Sequence, residues 1–505
     1  MSSVCCVKTA MLWGVEARLV QVEVSVSAGL PGVVVVGRAD LSVAEGRTRV
    51  RSALSAVGFG SLRKSVTVNL APADVKKSGS SFDLPMAVGI LVATEAISGA
   101  GLDNCLIVGE LSLEGEVQPI RGLIAYAQLA KREGLRLICP RGLGFEALED
   151  VDVRCVGSLA DFHDALPDVG RPPELCDGPL DYADDEPDFA DVAGQELAKR
   201  ALGIAAAGGL GILMVGPPGV GKTMLARCVP SILPELSQDE YCETALIYSV
   251  CDEGSPAVLK RRRPFRAPHH TVSAAGLLGG GKPVTPGEAS LAHNGVLFLD
   301  ELGEFNRCTL QALRQPLEEG VVRVTRVEGT YSFPARFQLI AASNPCPCGH
   351  YGDPAGTCNC SEVAVRNYQS KLAGPLIDRI DMSVTLERPS SSDLLGKGSC
   401  TSSASLRKTV EETREFAAWR RARKESLKAE SASHGKLAKT LELLEADEGA
   451  VALIEQMSER RGVSARGLSA LVRVARVIAD MDGSTPIAAT HLLEAFCFRY
   501  GEAAI

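Results

Sequence analysis

The stretch Gly211-Ile-Leu-Met-Val-Gly-Pro-Pro-Gly-Val-Gly-Lys-Thr-Met-Leu-Ala226 sets the organisation of this sequence. Its apolar part, Ile212 to Val215, predicts a buried parallel strand, and Met224 to Ala226 predicts the start of a helix. The turn between them fits G-x-x-x-x-G-K-[ST]. Glycines let such a turn curl, so that backbone N–H groups and the helix N-terminus face phosphate oxygens. A plain glycine-rich loop is the alternative, and the flanking strand and helix signals disfavour it.

This phosphate loop predicts the ligands of a nucleotide and its metal ion. Lys222 is expected to reach the β- and γ-phosphates of ATP, and the Thr223 hydroxyl to ligate Mg²⁺. A second apolar stretch, Gly295-Val-Leu-Phe-Leu-Asp-Glu301, predicts a strand ending in two carboxylates. Asp300 would hold Mg²⁺ directly or through water, and Glu301 would polarise the attacking water. The predicted loop residues are Gly216, Pro217, Pro218, Gly219, Val220, Gly221, Lys222 and Thr223.

The composition is that of an ordinary globular chain. The 505 residues are 46% hydrophobic and 23% charged, and this length suggests two to four domains. The net charge of −9 provides no global basic field, so any contact with nucleic acid would depend on local basic patches. The absence of a long apolar segment and of a signal-peptide pattern predicts a cytoplasmic chain with no membrane partner. The sixteen cysteines would then be mostly reduced thiols.

Periodicity and composition predict an α/β fold in several parts. Residues 1–165 alternate strand and helix patterns, with one strand predicted at Cys105–Leu113, and form one α/β domain. Residues 166–187 are acidic and rich in proline, which predicts a linker. Residues 188–387 hold the phosphate loop in a three-layer α/β/α core, and residues 388–505 form a serine-rich connection followed by a helical lid. The lid helices are predicted at 406–425, 437–457, 467–481 and 488–500.

Part of the first domain resembles the proteolytic domain of Lon-type proteases. The resemblance lies in Leu113–Leu123, Ala127–Gly134 and Leu135–Pro140. It would imply a Ser–Lys protease, but Met86 stands at the position of the nucleophilic serine and Tyr126 at that of the lysine. A thioether cannot be activated for acyl transfer. We therefore expect an inactive Lon-like scaffold that serves assembly or binds a partner.

The second part resembles AAA+ ATPase modules. Asp188–Arg200 is similar to the segment that opens such modules beside the adenine. By the same resemblance, Asn344, at the end of an apolar strand, is the sensor of the γ-phosphate. Arg379 matches the arginine finger, which reaches the ATP of the neighbouring subunit, and Arg466 matches the second sensor on the lid. A finger supplied in trans implies a homo-oligomeric ring, a hexamer.

Two further stretches narrow the family. Arg263–Ser273 and Leu277–Gly295, with the phosphate loop and Asp300-Glu301, resemble the magnesium-chelatase-like AAA+ ATPases of the ComM/YifB family over essentially the whole chain. This resemblance implies a DNA-dependent ring helicase that promotes branch migration in recombination and natural transformation. The alternative is a motor that remodels a protein partner or drives metal insertion, as magnesium chelatase motor subunits do. The fused Lon-like domain favours the first function.

Four cysteines form a candidate zinc site. They follow the pattern C-x-C, nine residues, C-x-C, and are Cys346, Cys348, Cys358 and Cys360. Four thiolates can close a tetrahedral Zn²⁺ site, although C-x-C is a less typical spacing than C-x₂₋₄-C. His350 is a spare candidate ligand. The alternative is a reduced loop whose cysteines share no role.

Two segments could carry DNA contacts. The glycine-rich loop Gly279–Val284 contains Lys282, and Val321–Phe333 predicts a β-hairpin that turns at Glu328-Gly329 and contains Arg323 and Arg326. In helicase relatives of this clade such a hairpin faces nucleic acid, and these cations could contact backbone phosphates. A solvated edge hairpin is the alternative.

Two other groups of residues remain open in the sequence. The cluster Trp419–Lys424 suits DNA backbone binding and equally suits a solvated helix face. His269 and His270 have no third ligand nearby, so we expect a structural or nucleotide-coupling role rather than a metal site.

Overall fold

The fold is α/β, as a computed structural model of the chain shows. The structure describes residues 3–59, 64–141, 151–162, 187–251, 261–353, 356–372, 376–390, 393, 401–427, 446–461 and 465–500. The predicted linker at 166–187 lies, apart from its last residue, outside the described residues. The domain boundaries given above therefore stay predictions.

Residues 3–162, here called the N-terminal region, contain a seven-stranded sheet of order β3-β4-β2-β1-β5-β8-β9. Strands β1 and β2 form an antiparallel hairpin in which Trp13 pairs with Glu16. The sequence did not predict β1, because its centre is buried without the period-two alternation of a half-buried strand. The elements are β1 (Ser3–Trp13), β2 (Glu16–Ser27), β3 (Gly32–Val36), α1 (Leu41–Ala56), β4 (Ser65–Ala71), α2 (Asp83–Ala93), β5 (Cys105–Ile107), β6 (Glu110–Leu111), β7 (Val117–Gln118), α3 (Leu123–Glu133), β8 (Arg136–Pro140) and β9 (Val153–Val156).

The predicted strand Cys105–Leu113 is wrong as a single element. It is divided between β5, in the large sheet, and β6, which pairs with β7 in a separate two-stranded sheet. Helix α2 is almost entirely buried, which explains its continuous apolar sequence.

The nucleotide-binding part is built on a five-stranded parallel sheet of order β11-β14-β17-β10-β18. All four residues of β10 and of β14 are buried, as their unbroken apolar sequences predict for strands covered on both faces. The elements are α4 (Glu196–Gly208), β10 (Ile212–Val215), α5 (Lys222–Ile232), α6 (Gln238–Cys251), β11 (Phe265–Arg266), α7 (Ala274–Leu278), β12 (Gly279–Gly280), β13 (Thr285–Pro286), α8 (Glu288–Leu291), β14 (Val296–Leu299), α9 (Arg307–Ala312), α10 (Arg314–Glu319), β15 (Val321–Arg326), β16 (Gly329–Pro334), β17 (Gln338–Ser343), α11 (Glu362–Leu372) and β18 (Met382–Thr385).

The C-terminal helices pack on this sheet layer. They are α12 (Ser403–Leu427), α13 (Glu448–Arg461), α14 (Ala465–Met481) and α15 (Ala489–Tyr500). Apolar residues of α14 recur at helical spacing, as at Leu468, Leu471 and Ala475, and join one core cluster with α4 and β10. The first part of the predicted helix 437–457 lies outside the described residues. Among the described helices, none is long and apolar enough to cross a membrane.

The β15–β16 hairpin turns one residue earlier than predicted. Arg326 pairs with Gly329, so Val327 and Glu328 form the turn. Gly329 instead begins β16 at φ 145°, where a Cβ would stand 2.7 Å from the Trp13 ring. The glycine is therefore needed for close approach to the N-terminal region rather than for the turn.

The N-terminal region contacts the hairpin through β1 and β2. Trp13 stacks on Tyr331 with ring centroids 4.6 Å apart, and its Nε1 donates to the Thr330 carbonyl at 3.3 Å. The Arg18 guanidinium lies over the Trp13 ring, 4.2 Å from its centroid. The N-terminal region thus contacts β16 directly after the turn, at Gly329 to Tyr331, while Val327 in the turn itself is fully exposed.

Candidate nucleotide site

The phosphate loop follows the carboxyl end of β10, a strand that pairs with β17 on one side and with β18 on the other. Gly219 and Gly221 have φ of 81° and 93°, which only glycine adopts without strain. Gly216 leaves no room for a side chain, since a Cβ there would stand 2.7 Å from the Leu386 carbonyl oxygen. Helix α5 begins at Lys222, directly after the loop. The sequence thus builds a loop whose N–H groups and helix N-terminus suit an anion.

Lys222 is held inside this loop. Its Nζ donates to the carbonyls of Gly216 and Pro217 at 2.6 and 2.9 Å and to Asn344 Oδ1 at 3.0 Å. When ATP is bound, its phosphate oxygens can replace these oxygen atoms as hydrogen-bond acceptors of Lys222. Asn344 follows β17, whose parallel pairing with β10 brings it beside a lysine distant in sequence. The structure therefore brings together the predicted loop lysine and the predicted γ-phosphate sensor.

Asp300 and Thr223 are in direct contact beside the phosphate loop. Thr223 Oγ1 donates to Asp300 Oδ2 at 2.7 Å, and Asp300 Oδ1 accepts from the Glu301 backbone N–H at 2.9 Å. A hydroxyl and a carboxylate oxygen at this separation are suited to share an Mg²⁺ ion. The chemistry of the two residues suits the metal, and the ion would supply charge neutralisation at the phosphates.

Glu301 is held in an uncommon backbone conformation. Its φ of 51° is in the left-handed region, which costs a non-glycine residue roughly 1 kcal/mol. Its carboxylate is more than half exposed, and Oε2 lies 3.4 Å from His270 Nδ1. Strain of this kind often marks a residue whose side chain must point at a reacting group. The contact with His270 accords with the nucleotide-coupling role expected for the histidine pair.

Arg379 and Arg466 lie together around one carboxylate. Arg379 forms an ion pair with Glu318, and Arg466 Nη2 lies 3.9 Å from Glu318 Oε1. Glu318 is in α10, and sequence patterns did not indicate it because nothing local distinguishes it from the next residue, Glu319. Both predicted arginine residues thus contact the same carboxylate.

Lys222 supports a prediction on pH. Burial lowers the pKa of its ammonium group to about 8, against the attraction of Asp300 and Glu301. Bound phosphates favour the charged form, so above pH 8 nucleotide binding must take up a proton. We expect the Kd of a non-hydrolysable ATP analogue to rise above pH 8, by up to about tenfold per pH unit, and to be unaffected by this group below it. Calorimetry in buffers of different ionisation enthalpy measures the proton uptake.

The matched control for this pH dependence is Lys222→Arg. Its guanidinium remains charged over the whole range, so its Kd should be weaker but flat with pH. A flat profile in the unmodified protein would contradict the assignment.

The predicted protease positions do not form a catalytic site. Met86 and Tyr126 are both buried, and the Tyr126 hydroxyl donates to Ser81 Oγ at 3.3 Å. Burial raises the pKa of Tyr126 to about 12, so this phenol stays protonated at neutral pH and cannot serve as the base. Ser80 instead donates to Glu110. The geometry supports a scaffold role.

The three predicted DNA cations are exposed, Lys282 in the glycine-rich segment and Arg323 and Arg326 on strand β15. Lys282 is exposed in the glycine-rich segment, and Arg326 approaches this segment, since a Cβ on Gly280 would be 3.2 Å from Arg326 Nη2. Arg323, on the same hairpin, pairs with Glu319. The loop and the hairpin are therefore neighbours, which the sequence could not show.

The sheet order, the phosphate loop and the carboxylates of Asp300 and Glu301 define a P-loop ATPase. "Magnesium chelatase, subunit ChlI" matches residues 188–394, "Subunit ChlI of Mg-chelatase" residues 22–142, and the ChlI C-terminal family residues 400–499. The chain is 39% identical to YifB of Escherichia coli over 98% of this chain and 96% of that protein. It is also 39% identical to the competence protein ComM of Haemophilus influenzae over 96% of this chain and 95% of that protein.

The chain belongs to the ComM/YifB family of magnesium-chelatase-like AAA+ ATPases. A partial similarity, 28% identity over 39% of this chain, extends to Lon protease 2 of Bacillus subtilis. The family implies ATPase activity with ATP and Mg²⁺, and its magnesium-chelatase-like relatives are oligomeric.

Proposed function

We propose that this chain is an ATP-driven ring motor that acts on DNA as a branch-migration helicase in recombination or natural transformation. The observation that carries the proposal is the exposed β15–β16 hairpin, with Arg323 and Arg326, beside the loop of Lys282, in a chain similar over nearly its full length to a competence protein. Exposed cations on two neighbouring segments suit contacts with backbone phosphates of one strand. The net charge of the whole chain is −9, so DNA binding must depend on local groups of cations.

Hydrolysis in this proposal takes place between subunits. Lys222, Thr223, Asp300 and Asn344 bind and orient ATP and Mg²⁺ within one chain, and Glu301 removes a proton from the attacking water. Arg379, held beside Arg466 by Glu318, reaches the ATP of the next chain in a hexamer. Mg²⁺ held by Thr223 and Asp300 would neutralise charge on the phosphates. Changes at the nucleotide reach the hairpin through α10, which directly precedes β15.

A DNA-stimulated ATPase assay tests the proposal. Single-stranded, forked and four-way-junction DNA should raise the ATPase rate, and ATP should drive strand exchange in the junction. The triple variant Lys282→Ala/Arg323→Ala/Arg326→Ala should keep the basal ATPase rate but lose the stimulation. It should also lower the slope of log Kd against log salt concentration by about three, one for each lost phosphate contact.

Arg132→Ala is the control variant, because Arg132 is exposed on α3 in the N-terminal region and forms an ion pair with its neighbour Glu133. It should leave both stimulation and salt slope unchanged. An ATPase stimulated by a protein partner and not by any DNA would contradict the proposal and favour a remodelling or metal-insertion motor.

A further inference from the structure

The four cysteines after β17 converge on one point. Their Sγ atoms all lie within 4.8 Å of one another, and all four cysteines are free of disulfide bonds. Cys346 Sγ is 3.4 Å from Cys348 Sγ and 3.8 Å from Cys358 Sγ, and the last two are 3.6 Å apart. These separations far exceed a disulfide bond of about 2.05 Å.

The separations match a tetrahedral zinc site. Four sulfur atoms at about 2.3 Å from one Zn²⁺ ion stand about 3.8 Å from each other. Backbone geometry supports the same arrangement, since the Tyr351 N–H points at Cys346 Sγ at 3.3 Å, an outer hydrogen bond of the kind that orients metal thiolates. His350 is not among the four residues that converge, and its Nδ1 lies 3.4 Å from the buried carboxylate of Asp353.

The cysteine loop also touches the nucleotide site. Cys346 follows Asn344 by two residues, and Gly349 lies against the phosphate loop, where a Cβ would be 2.7 Å from Pro218 Cδ and 3.8 Å from Asn344 Cγ. Arg388, beyond β18, reaches Asp353 at 3.0 Å and so holds the far side of the loop. The loop is thus enclosed between the phosphate loop and the chain segment after β18.

We propose that Cys346, Cys348, Cys358 and Cys360 bind one structural Zn²⁺, and that the zinc-bound loop fixes Pro218 and Asn344 at the nucleotide site. Four protein ligands complete the tetrahedral coordination of the ion. It therefore has no open position for catalysis, and its role is structural. Without the ion, no bond would join the four thiols, and the segment after Asn344 would lose this cross-link. The positioning role rests on the proposed ATPase function, whereas zinc binding does not.

The metal content of the full-length protein tests the first part of the proposal, that the four cysteines bind zinc. Protein purified without chelator should contain about one zinc per chain, and growth in Co²⁺ should give the absorption of a tetrahedral cobalt–thiolate site. Cys358→Ser and Cys346→Ser should lose the metal, and Cys308→Ser, at an exposed cysteine outside the cluster, should retain it. Zinc-free protein with four reactive thiols, or full zinc in the cluster variants, would overturn the site.

Nucleotide binding tests the second part of the proposal, that the zinc-bound loop positions Pro218 and Asn344. Removal of zinc by a chelator, or Cys358→Ser, should weaken binding of a fluorescent ATP analogue by about tenfold. Gly349→Ala keeps every ligand, but its φ of 85° is strained for alanine and its Cβ pushes on Pro218, so it should retain zinc and still bind the analogue more weakly. This variant is informative even if the cysteine variants fail to fold. Zinc binding together with unchanged affinity in the stripped protein and in Gly349→Ala would overturn the positioning role.

The outcomes also separate this inference from the proposed function. If Lys222→Ala leaves binding of the ATP analogue unchanged, the ATPase assignment fails while the metal content still decides the zinc site.

Discussion

Glu301→Gln is expected to lower kcat for ATP hydrolysis by about 10²- to 10³-fold while ATP binding is retained. The amide keeps the size of the side chain but cannot accept a proton from the attacking water. The backbone of Glu301 is already in the left-handed conformation that directs the side chain, and glutamine can occupy it at the same cost. The measurement is steady-state phosphate release together with binding of a fluorescent ATP analogue.

Glu304→Gln is the matched control for this substitution. It lies three residues further along, is exposed, and makes the same change of carboxylate to amide. Its kcat should remain within about twofold of the unmodified protein. Equal losses in the two variants would indicate a general effect of charge rather than a base at Glu301.

Arg379→Ala is expected to reduce kcat by about 10³-fold or more, and a mixture with Lys222→Ala should recover activity. Each variant alone lacks one half of every intersubunit site. In a random ring of equal parts, about a quarter of the interfaces combine an intact phosphate loop with an intact arginine from the neighbour. Such interfaces are active only if Arg379 acts on the ATP of the adjacent subunit.

The control mixture combines Arg379→Ala with the double variant Lys222→Ala/Arg379→Ala, which contains no intact arginine and should stay inactive. Because Glu318 lies beside both arginines, Arg466→Ala should behave in the mixture as Arg379→Ala does. No recovery, when native mass spectrometry shows mixed rings, would contradict the intersubunit site.

Most local elements could be predicted from the sequence. The strands β10, β14 and β17 and the helices α5 and α14 follow from unbroken apolar segments and from helical spacing, and the structure confirms them. Strand β1 could not be predicted, because a strand buried on both faces at its centre has no alternation to read. The hairpin turn was misplaced by one residue, since Gly329 serves the contact with Trp13.

The sequence by itself determined the kinds of ligand at the site. The phosphate loop, the Asp-Glu pair, the strand-terminal Asn344 and the four-cysteine pattern are local, because each depends on residue types at short spacing. These features suffice for an ATPase of this family and for a candidate zinc site.

Only the tertiary structure decided which of these residues act together. The parallel order β14-β17-β10 joins Thr223 to Asp300 and Lys222 to Asn344, although each pair is far apart in sequence. The same packing places Arg379 and Arg466 around Glu318 and presses the cysteine loop against Pro218. Such contacts depend on how sheets and helices stack, and the free energy of that packing comes from residues distant along the chain.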